Sequence, residues 1–361
     1  MNKMSVFKIS LVIFILSIAI FISFSENYST KGNIKEAFPN IIEDVQNVSK
    51  ISLENKSGEF FLIRNAQEWR LPGYNNYPVD IKKINNFLLQ LSNSNFLDTK
   101  ETDQKNYYKL GVSYPLNNEL EATRIKFFNN YEVIYDFIIG KDTSKNTSYN
   151  VNYFRNTEEQ LVLLFKNELD FFKEELSWID TEIIKIGRWR IREVSIKDLV
   201  SKSLLKVFRD DYSSQTFKFY NLPKDHELIN NYSHNSLVSV FEGIKIIDVI
   251  PQIPDSNRKQ LKINKRIQLI TFDGLILKLE LLKIDKDQYA KINVSSDESI
   301  RQELPIDSEK IIGIPDMRSF QEVEKEKDRI KFAEKWLYKF DRNSLNQLNK
   351  SKKDFIQKKS N

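Results

Sequence analysis

RIQLITFDGLILKLELL, residues 266–282, reads as two apolar-rich strands folded back on each other at Asp273–Gly274. An Asp-Gly pair between alternating hydrophobics is a strong hairpin signal, because the tight turn needs positive φ and glycine supplies it without steric cost. TRIKFFNNYEVIYDFII, residues 123–139, has the same form: strand, turn at Asn129–Asn130, strand. Working outward from the earlier hairpin, KISLENKSG alternates from Lys50, with Ile51 and Leu53 on one face. Ser57–Gly58 turns the chain into EFFLIR, and EWRL at 68–71 makes a third short strand. Tyr77-Pro78-Val79-Asp80 opens a helix, with Asp80 at its start and Ile84, Phe87, Leu88 and Leu91 on one apolar face. Tyr107 to Gly111 reads as a short helix closed by a glycine cap. YNVNYF and QLVLLF make a further hairpin, and residues 167–186, with ELDFFKEELSWIDTEIIKI, read as helix and turn.

Around the later hairpin the same series recurs. Val194-Ser195-Ile196 stands where Ile51-Ser52-Leu53 stood, and SQTFKFYNLP where EWRLPG stood. His226 to Phe241 reads as a helix with Leu228, Leu237 and Phe241 inward, and Ile246-Ile247-Asp248 follows it as Phe96-Leu97-Asp98 followed the first. The offset is about 142–150 positions. The expected fold class is therefore α+β: two similar modules with antiparallel sheets at 48–190 and 191–300, from an internal duplication. Any two α+β modules share such a coarse pattern, so the alternative is independent origin. From 301 to 361 the reading is a linker and then a charged helix from Ser319, striped by Ile330, Ala333, Leu337 and Phe340, with a solvated tail at Lys352, Lys353, Lys358 and Lys359.

Before the first module, ISLVIFILSIAIFISF at 9–24 has no charge and three serines, with Lys3 and Lys8 ahead of it and Glu26 behind. From Met4 to Ser25 a helix at ~1.5 Å per residue reaches about 33 Å, enough for a hydrocarbon core of about 30 Å. Residues 1–25 are expected to be a single-pass transmembrane anchor of the inner (cytoplasmic) membrane and 26–47 a polar tether. Lys3, Lys8 and the amino terminus favour an N-terminus in the cytoplasm and a body in the periplasm. A cleaved signal peptide is the alternative, with Ser23 and Ser25 at a cleavage spacing; either way the bulk is exported.

Composition excludes much. The 361 residues hold no cysteine, which removes disulfides, thiolate metal sites and thiol nucleophiles together. Net charge is only +5 and spread along the chain, so no nucleic-acid surface is expected. Phe 25, Tyr 15 and Trp 4 suffice to build real cores. The two histidines, His226 and His234, are eight apart and point in different directions on one helix, which argues against a metal pair. Phosphate-cradling glycine motifs and a Gly-x-Ser-x-Gly elbow are absent. Glu174–Glu175 and Asp210–Asp211 are adjacent rather than convergent. Asp273 is explained by its turn, with ligand or acid as the alternative. Trp69 is expected in the core and Trp189, flanked by arginines, partly exposed. No catalytic, cofactor or metal residue is assigned, and the protein is expected not to be an enzyme.

Taken together, ISLENKSGEFFLIR, EWRL, YPVD before a helix, YYKLGVSYP, IIGK, SWIDTEIIKI before RIREVSI, and TFDGLILKLEL resemble the domain-of-unknown-function 4340 family over roughly residues 48–300, and weakly WLYKF beyond. The family's Leu-Gly-Leu-x-x-Pro is met by Leu110-Gly111-Val112-Ser113-Tyr114-Pro115, with valine for the second leucine. The resemblance implies a bacterial envelope protein with one span, accessory to an ABC-type transporter of the gliding-motility-like kind. It carries over no catalytic residue. A non-enzymatic interaction scaffold is the expected function. An envelope glycan- or lipid-binding module is the alternative, and a hydrolase built from dispersed carboxylates is less favoured.

Overall fold

The computed structural model describes residues 35–66, 68–101, 103–115, 122–130, 132–143, 150–169, 173–230, 234–252, 262–302 and 315–359. The expected span at 9–24 lies outside them; among the described residues no helix is long and apolar enough to cross a membrane. The architecture is α+β with antiparallel sheets, in two compact units. Of the described residues, 35–72 and 78–175 form the first unit, and 73–77 and 176–359 the second.

The first sheet is built from β1 (Lys35–Glu36), β2 (Lys50–Asn55), β3 (Gly58–Asn65), β4 (Glu68–Leu71), β5 (Tyr77–Pro78), β6 (Asn95–Glu101), β7 (Thr123–Asn129), β8 (Glu132–Asp142), β9 (Asn150–Asn156) and β10 (Val162–Asn167). Its order is β1-β6-β10-β9-β8-β7-β2-β3-β4-β5. Registers such as Ile51↔Phe127 and Leu53↔Ile125 put the expected apolar set on one face. On that face lie α1 (Ile41–Asp44) and α2 (Ile81–Ser92). Asp80 caps α2 by accepting from the Lys82 N–H at 3.0 Å. Ile84, Phe87, Leu88 and Leu91 are buried as the spacing requires, and the Phe87 ring stacks on Phe127. At roughly 1.5–3 kcal/mol for each large apolar side chain removed from water, that stripe is what holds the helix to the sheet.

The opposite face carries charge under an aromatic lid. Arg124 on β7 makes a two-pronged bond to Asp136 on β8, at 2.8 and 2.5 Å. Tyr114 lies over Arg124 and Tyr107 over Arg155, each 4.7 Å from ring centre to guanidinium. Both tyrosines come from YYKLGVSYP, where α3 (Tyr107–Leu110) ends on Gly111 at φ 71°. Gly140 of the IIGK strand end lies against that cap: a Cβ there would sit 2.5 Å from the Leu110 carbonyl oxygen. The two family-like motifs are thus halves of one backbone contact.

The second sheet comprises β11 (Ile191–Asp198), β12 (Ser203–Phe208), β13 (Lys218–Phe219), β15 (Ile246–Pro251), β16 (Lys262–Thr271), β17 (Leu275–Ile284), β18 (Asp287–Ser296) and β19 (Trp336–Phe340). Its order, β13-β12-β11-β16-β17-β18-β19-β15, repeats β4-β3-β2-β7-β8-β9-β10-β6 of the first strand for strand. Gly274 at φ 99° makes the expected turn between β16 and β17.

Several expectations are corrected. The tether read at 26–47 gives way to folded chain from Lys35: Phe38 and Ile41 are buried, too sparsely spaced in sequence to show a period. The helix read over 167–186 is, in its described part, a 3₁₀ turn at Glu175–Trp178 and then extended chain. Its isoleucines suit extension, and the segment runs along 241–246, with Ile186 N–H to Phe241 O at 2.7 Å and Ile246 N–H to Thr181 O at 3.1 Å. His226–Phe241 is not one helix. His226–Leu228 is a strand, β14, paired with β20 (Ile356–Lys358), and among the described residues of this stretch the α-helix is confined to Asn235–Ser239, α4, with a 3₁₀ turn after it at Val240–Glu242. The C-terminal stripe is split as well. A Ser319–Glu322 capping box starts α5 (Phe320–Lys331), which ends in a 3₁₀ turn at Phe332–Lys335 before Leu337 and Phe340 enter β19. Residues 315–359 therefore complete the second unit instead of trailing it, ending through α6 (Arg342–Leu348), buried Phe355 and β20.

Candidate functional site

At one end of the first sheet no described helix covers the helix-bearing face. Phe38, carried in by β1, lies on Phe137 at 4.9 Å between ring centres, and Phe96 lies on Phe154 at the same distance. Beyond these rings the starts of β8 and β10 and the end of β9 enclose a recess of about 320 Å³. Its apolar lining adds Val133, Tyr135, Leu161 and Leu163; its polar lining is Asp136, Asn156, Glu158 and Glu159. Val133 and Ile134 at its mouth are 49% and 36% exposed, unusual for consecutive aliphatics on a strand.

The polar groups fall into two kinds. Tyr135 donates to Asp44 Oδ2; burial and that bond push its hydroxyl above the ordinary tyrosine range, so it stays a neutral donor. Asp136 borders the recess from β8 but turns its carboxylate to the opposite face, where Arg124 holds it and is itself raised by that hydrogen bond. Glu158 and Glu159 are different. Their backbone N–H groups are fixed on Asn156, at 3.1 Å each, while their side chains are exposed. The recess is a hollow of mixed lining, more polar than apolar at its open surface, with aromatic rings packed beneath it and an acidic lip.

A smaller hollow of about 190 Å³ in the same unit is lined by Thr123, Gly140, Asp142, Asn152 and Lys173. Its buried amide is spent on the fold: Asn152 donates to Gly140 O at 3.0 Å and its Oδ1 accepts from Asn167 at 3.0 Å.

The residues weighed from sequence lie elsewhere. Asp273 is fully buried in the second unit, bound by Arg190 Nε at 2.6 Å and by Thr271 Oγ1 at 2.5 Å. Arg190 also grips Glu326 of α5 at 3.1 and 2.7 Å, and Arg318 meets Glu326 at 3.0 Å. Burial alone would lower the Arg190 pKa, and the two carboxylates outweigh it. Two cations and two anions close on one another, a brace for the turn and the helix. Nearby Arg209, pushed down to about 10 by burial, gives its hydrogen bonds to backbone carbonyls, among them Ile191 O and Ser214 O, and is ringed by Trp189, Phe217 and Phe272.

The histidines lie on separate elements. His226 sits on β14 with Nδ1 2.9 Å from Asp225 Oδ1, whereas buried His234 has Nε2 2.8 Å from Phe217 O and is lowered by burial. Among the described residues no group of His, Asp and Glu is arranged to hold a metal ion. Asp210 pairs with Lys218, while Asp211, lowered by its bond from Ser213, stabilises a local turn. Trp69, Trp178 and Trp336 are buried and Trp189 is partly exposed. The recess itself escaped the sequence reading. Its one visible signal was VIYDFII, where apolar residues at consecutive positions leave both faces of β8 asking for cover.

A family model described as Domain of unknown function (DUF4340) matches residues 69–265, more than half of the chain. No curated protein matches the chain.

Proposed function

The chain belongs to the DUF4340 family, and on that premise we propose that it works by contact: a non-enzymatic, single-pass envelope protein that engages an ABC-type export complex of the gliding-motility-like kind. Residues 9–24 anchor it in the cytoplasmic membrane, with the N-terminus in the cytoplasm and both units in the periplasm. The observation that carries this reading is the uncovered aromatic recess of the first unit, in a chain whose strongest charged cluster is closed on itself as a brace. The common strand order of the two sheets supports an origin by duplication of one α+β scaffold.

The glycan- or lipid-binding alternative uses the same recess. It draws less support, because three of the four tryptophans are buried and the partly exposed Trp189 is occupied by Arg188 and Arg209. The test is crosslinking in intact cells, mild solubilisation and affinity purification. Recovery of transporter subunits is the expected outcome. Recovery of the monomer alone, a cytosolic location, or turnover of a substrate by purified protein would each defeat the proposal.

A further inference from the structure

The second unit carries a helix at the related place on its own sheet. Its connection from β18 to β19, residues 297–335, carries α5, whereas the corresponding connection from β9 to β10 is only 157–161. Helix α5 packs on β18 beside the β16–β17 turn: Ser296 bonds Glu324, Phe320 borders Gly274, and Val323 and Ile330 are fully buried. In the first unit the equivalent strand ends, the start of β8 and the end of β9, form the recess. The same sheet position is thus filled by a helix of the chain's own in one unit and unfilled by any described residue in the other.

We propose that the recess seats an amphipathic helix donated by a membrane-proximal partner protein, its apolar stripe on Val133, Phe96 and Leu163 and its basic residues toward Glu158 and Glu159. This rests on the contact reading above and specifies the partner's chemistry. The occupant is helical because α5 is; two buried apolar positions seven apart, Val323 and Ile330, are the pattern it offers its sheet. It is basic because the lip is acidic and neither glutamate is in an ion pair among the described residues. It is membrane-proximal because residues 25–34 alone separate the apolar run from Lys35 of β1, beside the recess. Ten residues fully extended reach at most roughly 36 Å.

The test uses the full-length protein in its native membrane, with a photo-crosslinking phenylalanine derivative at Leu161 and, separately, at Tyr220 on the second unit. The expected adduct from Leu161 maps to a partner segment with apolar residues at helical spacing and Lys or Arg beside them. Glu158→Lys with Glu159→Lys should cut its yield about tenfold with unchanged thermal unfolding. In parallel, a synthetic Lys/Leu amphipathic helix should bind the intact protein and its Glu/Leu counterpart should not. An adduct to lipid, or to residues 1–34 of the same chain, overturns the inference, as does equal binding of the two synthetic helices. Protein adducts from Tyr220 but none from Leu161 leave contact function standing and remove the recess from it. No adduct from either position defeats the contact reading itself.

Discussion

Replacing Asp273 with asparagine isolates the brace at the centre of the second unit. The carboxylate is fully buried; one oxygen takes Arg190 Nε at 2.6 Å, and the other takes Arg190 Nη2 at 3.3 Å and Thr271 Oγ1 at 2.5 Å. Asparagine keeps the volume but turns one acceptor into an NH₂ group that must face a donor. Hydrogen bonds to charged groups contribute about 1.5–3 kcal/mol each, and removing one partner of a buried ion pair costs about 3–5 kcal/mol. Arg190 retains Glu326, so the loss should fall inside that range rather than beyond it. For a unit of this size each kcal/mol moves the midpoint by roughly 2–4 °C, which gives a drop of roughly 6–20 °C. Thermal unfolding followed by tryptophan fluorescence reads it directly, since Trp178, Trp189 and Trp336 all belong to the second unit. The control is Arg266→Ala, which breaks the more exposed Arg266–Glu280 pair, with Arg266 56% exposed, and should cost under about 1 kcal/mol. If Asp273→Asn is no worse than Arg266→Ala, the brace contributes nothing and the reasoning from burial fails.

Gly140→Ala should destabilise the first unit by about 1–3 kcal/mol, although such a change often stabilises where space allows; the added methyl meets the backbone of Leu110 and Gly111, and urea unfolding checks the sign. His234 is held below its ordinary pKa of 6.5 by burial, with the hydrogen bond to Phe217 O opposing. The folded state therefore binds fewer protons than the unfolded one, and the contribution is full above pH 6.5 and lost as pH falls below it toward the folded value. In His234→Asn the urea midpoint should lose that part of its fall on acidification, and an unchanged slope would show that His234 is not its source. Arg209→Lys should cost about 2–4 kcal/mol, because one ammonium cannot reach the separate carbonyls of Ile191, Trp189 and Ser214 that the guanidinium spans; equilibrium unfolding measures it.

Local chemistry made much of the fold legible. Asp80, the Ile84–Leu91 stripe, the Gly111 cap and the Asp273–Gly274 turn each act within a few residues, and each stands where the spacing puts it. Misreadings occurred where a distant partner decides. Ile183, Ile184 and Ile186 share spacing with a helix, but a neighbouring backbone at Phe241 and Ile246 takes their segment as extended chain. Leu337 continues the period of Ile330, yet pairing with Ile250 and Lys291 makes it a strand residue. The recess was less legible than the fold, because it is made by a shortage of cover. Phe38, Phe96 and Phe154 are far apart in sequence, and nothing local says that a connection will be too short to carry a helix.

That difference in one connection organises the whole molecule. A sheet with an apolar face needs a second layer; the first unit supplies α2 just before β6, and the second supplies α4 just before β15. The second unit completes the layer with α5, and the helix inserted there brings buried Glu326 against Arg190, so the arginines Arg190 and Arg318 must be present to neutralise it, with Asp273 taking the rest of the Arg190 charge. A buried pair of this kind fixes position more than it adds stability, which suits a helix that must sit in one register. The first unit turns at Asn130, in the left-handed region at φ 53°, where Ser49 Oγ accepts from the Asn130 N–H at 2.9 Å. Its free charges lie outside, on Glu158 and Glu159, where water screens them and a partner can reach them. A cover held from within needs a buried lock; a cover that comes and goes needs an apolar seat and an exposed, attractive rim, and that is the division of chemistry between these two copies of one strand order.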